Sequence, residues 1–216
     1  MTRTQMNQLK TEQLKLAKKV ITTNQFSDIK LVAGTDQTVV NKHIIAVISV
    51  LTYPKLEEVE KKYAIIEQQV PYTPGYMFYH EGLAIMEAYN KLEKKPDILM
   101  VKGDGILHPR RIGIASHLGL VLDIPTIGIL KTLLCGELKN DTAYVGNEAR
   151  GKLLVTKKTG NPIFVSPGHK CTLETAFEIT KKCVVPPHKM PEPIATSHKL
   201  IIKLRKFQRD KQEPTE

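Results

Sequence analysis

The chain contains no tryptophan and only three cysteines in 216 residues. Cys135, Cys171 and Cys183 are odd in number and widely spaced. That excludes a disulfide framework and a cysteine-built zinc site, and it leaves reduced thiols in a cytoplasmic protein as the expectation. Long apolar runs are also missing. The most apolar segment, residues 112–130, is broken by His117, Asp123 and Pro125, which argues against a membrane span. The opening MTRTQMNQLKTEQLKLAKKV lacks the apolar core of a secretory signal. There is no internal repeat and no Gly/Ser linker, so one domain over residues 1–208 is expected, followed by a disordered polar tail at 209–216. Negative charge is the last shortage. Asp and Glu number 22 against 32 Lys and Arg, a net charge of +10 that points to a polyanionic partner, nucleic acid first.

What is present is a change of period along the chain. Met6, Leu9, Leu16, Ala17 and Val20 fall roughly on one face of an N-terminal helix. Three strands with short connections follow, at 29–35 (closing at Asp36), 43–52 and 59–70. The pattern then turns helical over 80–94, with Pro96 as the stop. A strand at 97–101, a helix at 110–122 and a strand at 126–130 come next. A hairpin is expected at 152–156 and 163–166, then a helix at 172–183 capped by Thr172. A proline-rich surface segment at 184–193 leads to a basic helix at 194–207. Three strands and then alternating helix and strand imply an α/β fold: a mixed sheet with helices on both faces, in the order of the ribonuclease H-like fold.

Several constellations could carry chemistry. Asp36, Glu81 and Asp104 stand at or near the ends of central elements, where separated carboxylates can hold a hard divalent cation for phosphodiester hydrolysis. Taken singly, each is more the pattern of a cap or a surface charge than of a ligand. VPYTPGYMFYHE (70–81) is a stiff loop that presents rings, suited to stacking or wedging between bases, or to packing on the core. HPRR (108–111) reads as a helix start with two arginines, attractive to phosphate. Lys131 ends an apolar strand, where its charge would suit a developing oxyanion. His169 lies in SPGHK, just before a helix.

Together these motifs resemble the endonuclease V family. The match runs from about Gln8 to Phe207 and includes VAGTD, YPKLEEVE, VPYTPGYMFYHE, PDILMVKGDGILHPRRIGIASHLGLVLDIPTIGILK, LCGEL, SPGHKCTLETA and PEPIA. The resemblance implies a Mg²⁺-dependent enzyme, with Mn²⁺ as a substitute. It would recognise deoxyinosine or inosine in single-stranded or nicked nucleic acid and cut the second phosphodiester on the 3′ side, in DNA repair or inosine-RNA processing. A cytoplasmic monomer without a membrane partner is expected. On the same resemblance Asp36 and Glu81 are metal ligands, and Lys131, His108 and His169 match further active-site positions. Tyr72, Pro74 and Gly75 form the wedge, Gly103 and Gly105 flank the hypoxanthine pocket, and Arg110 and Arg111 meet the backbone.

One position departs sharply. The family's Val-Asp-Gly-His-Gly reads here Val101-Lys102-Gly103-Asp104-Gly105, so a lysine holds a principal metal-ligand position and Asp104 stands where the histidine would be. An ammonium about 4 Å from Mg²⁺ would be repelled by roughly 8 kcal/mol at an effective dielectric near ~20. Two outcomes are open. Asp104 supplies a displaced carboxylate, as strand alternation through Gly103 would allow; or the Lys102 ammonium pairs with Asp36 and Glu81 and replaces the cation, leaving an inactive scaffold that binds nucleic acid. A smaller departure is Asp36-Gln37-Thr38, which lacks the apolar residues expected after the aspartate.

Overall fold

The computed structural model describes residues 2–157 and 160–210. In chain order its strands are β1 (Leu31–Val40), β2 (His43–Thr52), β3 (Glu58–Glu67), β4 (Ile98–Lys102), β5 (Thr126–Leu130), β6 (Glu137–Lys139), β7 (Thr142–Val145), β8 (Glu148–Leu154) and β9 (Ile163–His169). The helices are α1 (Arg3–Ala17), α2 (Leu83–Asn90), α3 (Ile114–Leu122), α4 (Leu173–Lys182) and α5 (Glu192–Asp210), with a π-helical turn at Phe78–Gly82 leading into α2. The strands form one open sheet in the order β3-β2-β1-β4-β5-β9-β8-β7-β6. Only the β1–β4 and β4–β5 pairs are parallel.

Strand alternation sorts the core onto two faces. Ala33, Leu99 and Val101 point one way and bury against Ala84, Ile85 and Ala88 of α2 and Ile114 and Leu118 of α3. Their neighbours Val32, Ile98 and Met100 point the other way, with Ile127 and Ile129, onto Ala176 and Ile179 of α4 and Ile194 of α5. The mixed sheet with helices on both faces is the ribonuclease H-like arrangement that the element order implied.

Boundaries differ where charge or a turn hid the period. β1 does not close at Asp36. It runs on to Val40 because Thr38, Val39 and Val40 keep pairing with β2, so Asp36 sits inside the strand opposite Val47. The helix expected from Arg110 begins only at Ile114, after an extended Gly113. HPRR is therefore a turn, with Arg111 at a left-handed φ of 60°, and offers no helix N-terminus to a phosphate. The strands β6 and β7 are only three and four residues long, too short to show a period. Arg209 and Asp210, expected in the tail, belong to α5; residues 211–216 of that tail lie outside the described residues.

The contact that matters most for the site is α5 on β1. Gly34 makes it possible: a Cβ there would lie 2.3 Å from the Pro193 carbonyl carbon and 2.4 Å from the Ile194 nitrogen. Ser197 locks the approach, donating to the Gly34 carbonyl at 2.7 Å and lying 2.9 Å from the Ser49 hydroxyl. Backbone rather than a flexible side chain would have to yield, so Gly34→Ala should cost about 2 kcal/mol, within the usual range for overpacking. The check is a lowered urea midpoint at unchanged denaturant slope.

Candidate functional site

The parallel register of β1 and β4 places Thr35 opposite Val101. One residue further along, Asp36 and Lys102 become neighbours on the face covered by α5, and the Lys102 ammonium forms an ion pair with Asp36 Oδ1. The same oxygen accepts the Gln37 backbone N–H at 2.9 Å. The other, Oδ2, lies 2.5 Å from Nδ1 of His198 on α5. Asp36 is 1% exposed, so each carboxylate oxygen is engaged in a nearly closed environment. The polar residue after it now has a use: Gln37 is buried, and its side-chain amide donates to the Lys102 carbonyl at 2.8 Å. That bond fixes the strand end carrying the lysine.

Glu81 comes to the same neighbourhood from the π-helical turn, a local widening of the helix often found at functional sites. It is buried, and its Oε2 has no hydrogen-bond partner. Burial pushes its carboxyl above the usual range; the Gln37 side chain and the charges of His80 and Lys102 act the other way, and Asp36 adds to the rise. An orphaned carboxylate of this kind is what a cation would satisfy. Its companion Asp36 is already closed by an ammonium, however.

Asp104 does not remedy this. The chain leaves β4 at Gly103, and Asp104 turns to a different, closely packed pocket with Gln13, Gly75, Phe78 and His108 that has no room for a guest the size of water. Its backbone carbonyl is meanwhile tied to the Ala115 N–H at 2.8 Å. Burial pushes its carboxyl up to about 6. The alternation that would have aimed residues 102 and 104 alike stops at the end of the strand. Among the described residues no group of three or more His, Cys, Asp or Glu side chains is able to hold a metal ion. A divalent cation does not fit at Asp36 in this arrangement.

The aromatic loop is built as a rigid projection. The Gly75 carbonyl accepts from Arg110 Nη2 at 2.6 Å and Gln13 Nε2 at 3.0 Å, and it lies 3.1 Å from His108 Nε2. Beyond this anchor Pro74 is exposed, and Tyr72 is 59% exposed, edge-on to the His80 ring at 5.7 Å. His108 is held neutral: burial, then the charge of Arg110, brings it down to about 4. Its Nδ1 accepts the Arg110 backbone N–H at 3.1 Å, which leaves the ring proton on Nε2 for Gly75. The two arginines expected to meet a nucleic-acid backbone are committed internally. Arg110 also donates to Gln13 at 2.5 Å and stacks over Tyr76 at 4.4 Å, while Arg111 pairs with Glu148 at 2.8 Å. Gly105 allows β9 to approach, since a Cβ there would sit 2.2 Å from the Pro167 carbonyl oxygen.

Lys131 follows β5, is exposed, and lines a cavity of about 410 Å³ together with Asp36, Lys102 and His198. His169 is not brought to this cavity. It pairs with Thr126 at the start of β5, five residues from Lys131, or about 16 Å along a strand. There it is 3% exposed, and its Nδ1 accepts the Ile21 N–H at 3.2 Å. Two participants escaped the sequence reading. His198 lies in a basic helix where nothing but its distance from PEPIA marks it, and Gln13 is a polar residue in an N-terminal helix that looked like a surface element.

A family model described as Endonuclease V matches residues 14–199. An endonuclease V from Rippkaea orientalis is 40% identical over 205 residues, covering 90% of this chain and 89% of that one. One from Dictyoglomus turgidum is 38% identical over 194 residues, covering 86% and 85%. Among solved structures, Ciona intestinalis endonuclease V in complex with a 23mer DNA containing an inosine followed by a ribo-adenosine superposes with a TM-score of 0.85 at 28% identity, over 96% of this chain and 99% of that chain.

Proposed function

Because the chain belongs to the endonuclease V family, a family of nucleases, we propose that it recognises deoxyinosine or inosine in nucleic acid and is directed to the second phosphodiester on the 3′ side. The observation that carries this reading is the loop at 70–76. Its base is clamped through the Gly75 carbonyl, and its tip presents Tyr72 and Pro74 to solvent. A rigid, exposed ring of this kind is suited to filling the gap left when a base is taken out of a stack. Lys131, in the cavity beside Asp36, would meet phosphate.

Mg²⁺, with Mn²⁺ as a substitute, is the cofactor the family resemblance brings, and Asp36 and Glu81 are the residues it would use. With Lys102 on Asp36 the ion has no seat. That ion pair favours a second reading, in which the protein binds the inosine strand without cutting it.

The test is a binding and cleavage assay on end-labelled single-stranded DNA and RNA, each with one inosine or with adenine in its place. At least tenfold tighter binding to the inosine strands is expected, of the order one well-made set of base contacts supplies. Any cleaved product, expected chiefly from Lys102→Asp, should end one phosphodiester beyond the lesion's own 3′ linkage, and adding Asp36→Ala should abolish it. Equal affinity for inosine and adenine strands would remove the reading.

A further inference from the structure

The cavity beside Asp36 has a largely apolar wall, with Pro187, Met190, Ile194 and Ala195, and the charged groups around it are nearly all basic. Besides Asp36 it is lined by Lys102, Lys131, Lys157, Lys189, Lys199 and His198, among others. Lys199 has a carboxylate partner in Glu192 at 3.4 Å, but Lys131 and Lys189 pair with no carboxylate among the described residues. Asp36, the one acidic group on the wall, is neutralised by Lys102 and bonded to His198. Lys102 is not used up by that pairing. Its side chain stays 31% exposed, and an ammonium has three N–H donors, so donors remain for the cavity.

We infer that Lys102 is a built-in cation: it occupies the metal position at Asp36, and the cavity takes a phosphodiester phosphate of bound nucleic acid directly on its ammonium groups, with no divalent ion between. The inference rests on the nucleic-acid reading above and states how that site meets the backbone. A metal centre holds phosphate by bridging it to carboxylates through an ion whose occupancy depends on concentration. Here the positive charge is covalent and always present, and it is spread over several lysines around a site of about 410 Å³. Binding should therefore ignore chelators and weaken steeply with salt, as lysine–phosphate contacts do.

Two measurements on the full chain decide it. Fluorescence anisotropy with a single-stranded inosine DNA should give a Kd that is no tighter in millimolar Mg²⁺ than in EDTA. Titration of Mn²⁺ followed by its electron paramagnetic resonance signal should show no ion bound per chain. In Lys102→Asp one Mn²⁺ should bind, and affinity for the strand in EDTA should fall at least tenfold and return when the ion is added. Lys102→Gln, which adds no carboxylate, should lose the same affinity in EDTA without recovery. The inference is overturned by a Mn²⁺ bound to the unaltered chain, by a Kd that tightens when Mg²⁺ is added, or by a folded Lys102→Gln that binds as tightly as the parent. Failure of the inosine reading would look different: inosine and adenine strands would bind equally, whatever the metal dependence.

Discussion

Lys102→Asp is expected to raise Mg²⁺-supported cleavage of a deoxyinosine-containing strand at least about a hundredfold over the unaltered chain. The argument is electrostatic and local. The β1–β4 register puts residue 102 beside Asp36, so an aspartate there would stand next to a carboxylate already buried at 1% exposure and near the unpartnered Oε2 of Glu81. The repulsion of roughly 8 kcal/mol between Mg²⁺ and an ammonium at about 4 Å would become an attraction of similar size. Realising even a fifth of that swing exceeds two factors of ten, each worth about 1.4 kcal/mol. Lys102→Asn removes the ammonium without supplying a charge and should fall between the two. Initial rates with and without Mg²⁺, on protein whose fold is checked by circular dichroism, provide the comparison. If a folded Lys102→Asp cut no faster than the parent, Lys102 would not be what governs the site.

The extent to which the sequence revealed this site follows from how each feature is encoded. β2 was legible to the residue because eight consecutive buried positions leave no ambiguity of face. β5 was legible for the same reason, with all five residues buried. The lysine problem was legible because a charge of the wrong sign in a motif needs no coordinates to detect. Its resolution was not. Whether Asp104 could rescue the metal depended on the direction of one peptide after Gly103, and that direction is set by contacts with α3 far along the chain. The internal contacts of Arg110 and Arg111 were hidden for a related reason. Their partners, Gln13 and Glu148, are 97 and 37 residues away and belong to elements whose packing no local pattern announces. His169 was misplaced because motif order says nothing about which end of a strand a residue reaches. Antiparallel pairing of β9 carries it to the start of β5, away from Lys131.

The second large effect is a loss of stability in acid carried by two histidines. His108 is 1% exposed and His117 3% exposed, and burial brings each down to about 4, with Arg110 adding to the effect on His108. Their folded forms are neutral, while in the unfolded chain each protonates near ~6.5. Unfolding therefore takes up two protons between these limits, and stability is fully present above about pH 6.5 and lost as pH falls toward ~4. Two histidines give a slope of about 2.7 kcal/mol per pH unit. Asp104 opposes them: with its carboxyl raised to about 6, the folded state keeps a proton that the unfolded state releases, and one proton's worth of slope cancels. These three groups together give about 1.4 kcal/mol per unit, or ~3 kcal/mol over two units; the raised Glu81 carboxyl subtracts from this and the lowered His169 adds to it. His117→Phe isolates the effect. The ring stacks on Phe78 at 3.5 Å and meets Tyr79 edge-on at 5.4 Å, and its Nδ1 has no partner, so phenylalanine can keep the contacts and lose only the proton. His108 and Asp104 would then nearly offset each other. Urea unfolding from pH 7 to pH 4 should show the parent losing about 3 kcal/mol relative to the variant. Parallel curves for the two proteins would mean that His117 takes up its proton without cost in the folded state, and that the stack on Phe78 tolerates an imidazolium.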